Sequence, residues 1–452
     1  MIIKILPKLN TSTIFNFFLC LIPFSMILGN TAININTLLI CFIGLYVIFR
    51  NKLKFEINLL TKIVFLFLSS AAVSALLSVG FDFSQYNQDN SFFANFIKSL
   101  LLFRWLLFLI VIQTLNKYDL IKFNFLLYSF CFFGTIIALD IIFQNFIGFN
   151  FFGYPKFVTP LHGHLLNTGF FGDEIIAGGF IQRFSFYSIF FSLILFQNKN
   201  KIFKYVFLPL FISIFPFAIF LSTNRMPLIL IILGIVLLAI VYRKYLIQII
   251  LSLVIFLFLV FSLGSERQKQ SYESLYSNII NIKSMFYQVK TVKKNGLETR
   301  TMKHADVASK SGSGHFYIYN TVFNIWKENK LLGIGPKNFY EKCVESEHHL
   351  NRLCVNHPHS YILDILVSTG ILGILLSIIL SIYLIIISYK KIFLPISSLD
   401  KKDIIVIPTI IVFLLEIFPF RSSGGFFTSG TSIFIFLIIA ILISKNYKAK
   451  IN

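Results

Sequence analysis

Long apolar runs separated by short polar turns dominate this chain from residue 13 to residue 445. Runs of that length cross a bilayer as helices, since about 20 helical residues span the hydrocarbon and satisfy their own backbone. We place them at 13–29, 32–49, 61–80, 97–115, 121–146, 175–196, 203–221, 226–242, 245–264, 360–388, 404–418 and 431–445, which predicts twelve spans. The run 404–418 is short, while 121–146 and 360–388 are long enough to tilt or to include an interfacial turn. One long interruption stands out, at 265–359. The pattern reads as an all-α, polytopic integral membrane protein of about twelve transmembrane helices with one large loop. It divides into an N-terminal bundle of about nine helices (1–264), the loop (265–359) and about three C-terminal helices (360–452).

Composition removes the soluble alternatives: 56% of residues are hydrophobic and 13% charged, with mean hydropathy +0.80. The formal charge of +21 is mostly a matter of topology. With the N-terminus inside, Lys4, Lys8, Arg50, Lys52, Lys54, Lys117, Lys122, Lys199, Lys201, Lys204, Arg243, Lys244, Lys390, Lys391, Lys401, Lys402, Lys445, Lys448 and Lys450 all fall on the cytoplasmic side. The opposite short loops hold little beyond Lys156, Arg225 and Arg421. This positive-inside bias puts both termini in the cytoplasm and the large loop in the periplasm. No basic face outside the membrane suggests a nucleic-acid partner. The first run follows Lys4 and Lys8 without a small-x-small cleavage site, so it reads as a retained anchor.

Under this topology all eight histidines (His162, His164, His304, His315, His348, His349, His357 and His359) lie on the outer side. That face is therefore the expected working face. In Cys354–Gly373, CVNHPHSYILDILVSTGILG, two histidines flank a proline and run directly into an apolar segment. Ionisable groups so close to hydrocarbon are costly and are candidates for function; the plain alternative is an interfacial loop that solvates a helix start. Arg225 closes the turn Ser222-Thr223-Asn224-Arg225, where a guanidinium either grips a phosphate or snorkels to headgroups. Arg421 sits in a second outer turn, followed by Gly424 and Gly425, which allow close backbone approach.

Asp173 and Glu174 precede a span, as helix-terminal acids or as a sugar-binding pair, with Arg183 inside that span. Asp140 and Arg104 are expected to pair within the bundle. Phe316, Tyr319, Phe323 and Trp326 read as the apolar face of a helix lying on the membrane. Cys20, Cys41 and Cys131 lie in apolar runs. Cys343 and Cys354, eleven apart in the outer loop, are placed either to form a disulfide or to remain free thiols. The close histidine pairs lack the further ligands of a zinc site, so no metal centre is expected.

The outer Ser-x-x-Arg turn, the loop segment LLGIGPKNF (331–339) and HPHSYILDILVSTGILG (357–373) together resemble the O-antigen ligase and O-antigen polymerase superfamily. Trp326, Gly333 and Gly335, His357 and His359, and Gly370 and Gly373 occupy the positions of that family's motifs, and 220–375 carries the likeness best. Two departures stand out. Gly314-His315 stands where many ligases carry an arginine, leaving His315, Arg300 or Arg421 as the second phosphate-binding cation. Ser360 replaces the usual asparagine.

The resemblance implies a metal-independent, cofactor-free glycosyltransferase in a bacterial inner membrane, working on a polyprenyl-diphosphate-linked oligosaccharide at the periplasmic face. Arg225 would hold the diphosphate and His359 would take the proton of the attacking hydroxyl, with His357 or Asp364 orienting it. The acceptor would be another glycan for a polymerase or lipid A-core for a ligase; a protein side chain is a further option. A transporter or flippase of lipid-linked glycan is the alternative from another class.

Overall fold

A computed structural model describes residues 11–79, 91–159, 163–280, 315–345, 354–393, 404–422 and 424–447. Seventeen α-helices are described, and the only sheet among the described residues is a two-stranded ribbon. The first apolar run is split into α1 (Thr11–Cys20) and α2 (Ile22–Leu28), bent by 46°. Pro23, in the first turn of α2, has no N–H to continue the preceding helix. α3 (Asn30–Arg50), α4 (Leu59–Val79), α5 (Ser91–Leu100), α6 (Phe103–Lys117) and α7 (Phe123–Ile147) follow. A short hairpin pairs β1 (Phe157–Val158) with β2 (Leu165–Leu166), Phe157 opposite Leu166. Next come α8 (Ala177–Phe196), α9 (Leu208–Leu221), α10 (Arg225–Val241), α11 (Leu246–Leu263) and α12 (Glu266–Ile280). Beyond them lie α13 (His315–Glu328), α14 (Phe339–Glu345), α15 (Tyr361–Ile392), α16 (Val406–Glu416) and α17 (Ser429–Tyr447).

Eight helices are long and apolar enough to cross a membrane, and the bent α1–α2 pair makes a ninth. Three shorter apolar helices, over Arg225–Val241, Val406–Glu416 and Ser429–Ser444, join them. The protein is a multi-pass membrane protein.

The two ends of the chain interleave. α15 packs along α4, and α17 packs on α6 and α3. At the centre, α8 is buried nearly all round through Phe184, Phe186, Tyr187, Phe190 and Leu193, as expected of a helix with neighbours on every side. A polar side chain on such a helix needs a protein partner.

One local expectation is corrected. Arg104 and Asp140 do not pair: Arg104 stacks on Trp105 at 4.6 Å and donates to Ser429 Oγ, while Asp140 accepts the Phe151 N–H at 2.8 Å. In α13 the stripe buried against the protein is Ile318, Val322 and Ile325, packed with Phe339, Cys343 and Val367, with Tyr319 partly buried beside it. Phe323 is exposed, and Trp326 Nε1 donates to the Lys330 carbonyl. Asp173 and Glu174 lie exposed ahead of α8, whose cap residue, Ile176, makes no side-chain cap.

α15 is broken. Gly370 takes φ 61°, ψ −159°, which separates an upper turn from the long lower helix. The freed backbone groups find partners in the 330–335 turn. Ile334 and Gly335 N–H donate to the carbonyls of Val367 and Ser368 at 2.9 Å each, and Ile371 and Leu372 N–H donate to those of Lys330 and Leu331. Both glycine motifs follow from this pairing. A Cβ on Gly333 would stand 2.5 Å from the Val367 oxygen, and one on Gly370 would collide with the Leu331 carbonyl.

Candidate functional site

The upper turn of α15 gathers the polar groups. His357 and His359 lie in the approach to it, with ring centroids 4.5 Å apart. His359 adopts φ 55°, a left-handed conformation that costs a non-glycine residue on the order of 1 kcal/mol. Burial lowers the pKa of His357 below its ordinary 6.5, favouring the neutral ring. The approach is anchored from behind by a disulfide between Cys343 of α14 and Cys354, with Cα atoms 5.6 Å apart.

Asp364, one turn into α15, is buried and accepts the Phe426 N–H at 2.7 Å. Gly425 brings that loop in: a Cβ there would lie 3.2 Å from both Asp364 Oδ2 and His357 Cβ. The glycine therefore serves close approach to Asp364 and His357.

Arg421 enters the same group from the loop between α16 and α17. It is only 6% exposed and lies over the Tyr361 ring at 5.6 Å. Its Nη2 meets Glu416 Oε1 at 3.0 Å and its Nη1 donates to Gln182 Oε1 at 3.0 Å. Its Nε has no hydrogen-bond partner among the described residues. Arg183, from the buried face of α8, completes the cluster. It donates to both Glu416 oxygens at 3.0 and 3.2 Å and to the Tyr361 hydroxyl at 2.6 Å. Two guanidinium groups thus share one carboxylate, leaving one positive charge in a dry setting where it acts strongly.

Sequence reasoning noted Arg183 but missed the role of Glu416, Gln182 and Tyr361. The available signal was an arginine and a glutamate each alone in an apolar run, which demands an opposite partner.

Beside this cluster a cavity of about 310 Å³ runs down between α15, α16 and α17. Tyr361, Glu416 and Arg421 line it with Ser360, and the remaining wall is almost wholly apolar, including Ile382, Ile385, Ile438 and Ile439. From α15 the wall takes Ile362 and Ile365 before the break at Gly370 and residues between Ile378 and Ile385 beyond it.

The other expected site residues stand apart. Arg225 begins α10, exposed, with Nε donating to Ser271 Oγ of α12 at 3.1 Å. Its turn abuts the start of α8, where Asn224 Oδ1 accepts the Gly178 N–H at 2.7 Å. His315 is the first residue of α13. Arg300 lies outside the described residues, as do His162, His304, His348 and His349. Among the described residues no group of three or more His, Cys, Asp and Glu side chains is placed to hold a metal ion.

Residues 208–378 match the family model described as O-antigen ligase. The match covers 171 of the 452 residues, so this stretch of the chain is similar to that family. No curated protein matches the chain at a significant level. The matched stretch runs from α9 into the lower half of α15. It holds Arg225, the paired glycine motifs, His357, His359 and Asp364. Arg183, Glu416 and Arg421 lie outside it and are brought in by the fold. Likeness to that family points to a membrane enzyme of the ligase type, with a lipid-linked glycan and an acceptor as its general partners.

Proposed function

We propose that this protein transfers or polymerises a polyprenyl-diphosphate-linked glycan at the periplasmic face of a bacterial inner membrane. The observation that carries the reading is the apolar cavity that ends at Arg421, Tyr361 and Glu416, with the histidine pair leading into the same turn of α15. An apolar groove with a single net cation at its head suits a lipid carrying an anionic head. Nine candidate spans and three shorter apolar helices match the twelve apolar runs in position, which supports the twelve-span topology and both termini inside. The 1–264, 265–359 and 360–452 division stands within this proposal as an order along the chain.

Diphosphate is a good leaving group, so the chemistry calls for charge neutralisation and a base more than for a Lewis acid. His359 accepts the proton of the acceptor hydroxyl as that oxygen attacks the anomeric carbon. The bond from that carbon to the diphosphate breaks, and the departing oxygen keeps the electron pair. Arg421 offers its unused Nε to the developing charge. Arg225 approaches from the start of α10, where the helix terminus also favours an anion. His357, held neutral by burial, and Asp364 orient the base.

The test uses the purified chain in detergent with a polyprenyl-diphosphate-linked oligosaccharide, with and without lipid A-core and chelator. Ladders of longer lipid-linked glycan would identify a polymerase, and transfer to core a ligase. Activity is expected to survive chelation. His359→Ala and Arg225→Ala should each lower turnover at least 100-fold while membrane insertion persists. Full activity in either variant removes that residue from the mechanism, and an unconsumed donor under every acceptor favours a transporter.

A further inference from the structure

A second set of charges gathers where α5, α6 and the 329–338 turn meet, and none of it was assigned above. Lys98 comes from α5, Arg104 from the first turn of α6, and Lys337 from the GIGPKN turn. Asn95 ties Lys98 to the turn that carries Lys337. Its Oδ1 accepts the Lys98 ammonium at 2.9 Å, and its Nδ2 donates to Asn338 Oδ1 at 2.8 Å and to the Lys337 carbonyl at 3.3 Å. Asn338 Nδ2 in turn holds the Ile334 carbonyl at 2.7 Å. Lys337 is fixed in a left-handed conformation at φ 66°. Arg104 is held over Trp105 at 4.6 Å, and its Nη2 donates to Ser429 Oγ at 3.3 Å.

Lys98 and Arg104 stand close enough for their charges to act on Lys337. Burial first, then Lys98 and Arg104, push the pKa of Lys337 down, and Asp364 pulls it back. Arg183 and Arg421 share Glu416, whereas none of these three forms an ion pair among the described residues. The Arg104 Nε also lacks a hydrogen-bond partner among them. Three positive groups against the single carboxylate of Asp364 leave two positive charges (3 − 1). Flexible lysines would separate unless held. Here Asn95 holds the Lys98 ammonium and the backbone of the turn that presents Lys337, which suits a doubly charged anion.

We propose that Lys98, Arg104 and Lys337 form a phosphate-binding site beside Asp364, separate from Arg225 and Arg421. It rests on the transferase reading only for the source of the phosphate, which is either the diphosphate of the lipid donor or a phosphorylated sugar of the acceptor.

Full-length protein in detergent is titrated calorimetrically with inorganic pyrophosphate, then with polyprenyl diphosphate and with glucose 6-phosphate. Lys98→Gln and Lys337→Gln should each weaken pyrophosphate binding about tenfold, Lys337→Arg should restore it, and added salt should shrink the difference. The same loss for polyprenyl diphosphate alone assigns the site to the donor; for glucose 6-phosphate alone, to the acceptor. Absence of pyrophosphate binding in the wild-type protein overturns the site. So does an unchanged affinity in a doubly substituted Lys98→Gln, Lys337→Gln protein with the wild-type melting temperature. Binding is read without turnover, so a protein that binds pyrophosphate but transfers no glycan keeps the site and loses the transferase reading.

Discussion

At the scale of single residues, the arrangement turns on Glu416. Its carboxylate is the shared partner of Arg183 and Arg421, in a place where neither guanidinium can be left to water. The two sides of this group are therefore not equivalent. Arg183→Met leaves Glu416 still paired with Arg421, whereas Glu416→Leu strands two cations. We expect Glu416→Leu to lower unfolding stability in detergent by about 3–5 kcal/mol and Arg183→Met by distinctly less; equal losses would contradict the shared-carboxylate account. The pair shows the limit of reading a sequence. Arg183 is visible as an isolated charge in an apolar run, but its partner lies 233 positions away, and nothing local names it. His357 and His359 were legible because proximity in the chain is itself the signal. Lys98 and Lys337 were not, since in the sequence a lysine near a polar turn looks the same whether or not two other cations stand beside it.

At the scale of elements, the break in α15 ties two motifs that look independent in the sequence. The apolar run 360–388 is long enough for a turn, but the run itself does not say where the turn falls or what satisfies its backbone. The structure supplies both, with Gly370 as the break and the Lys330–Gly335 turn as the donor and acceptor set. A side chain at Gly370 meets strained backbone and the Leu331 carbonyl together. Gly370→Ala should therefore cost at least about 2 kcal/mol. Gly179→Ala is the contrasting case, because its added Cβ meets nothing within 4 Å on a helix, and it should be neutral or stabilising by up to about 1 kcal/mol. Denaturant unfolding of the two variants side by side checks both signs.

At the scale of the whole molecule, the apolar runs made the membrane class and the positions of most helices legible. Their neighbours were not: that α15 lies along α4 and α17 along α6 is a matter of packing between opposite ends of the chain. Orientation remains the part proposed from charge alone, and it can be tested directly. A fluorescent protein fused after residue 452 should light up in the cytoplasm, and alkaline phosphatase fused within 265–359 should be active. The reverse pattern would invert the topology and place the histidines on the wrong side for a periplasmic acceptor.

The cavity between α15, α16 and α17 changes how encounter must be counted. Much of α15 is exposed along its length, at Ile371, Leu375, Ile378 and Ile382 among others, so the groove is flanked by surface that faces lipid. A ligand seated there by its hydrocarbon tail is found by lateral diffusion in a plane. The quantity that governs how often the groove is filled is then the number of tails per unit area of membrane, and the volume of the surrounding solution drops out.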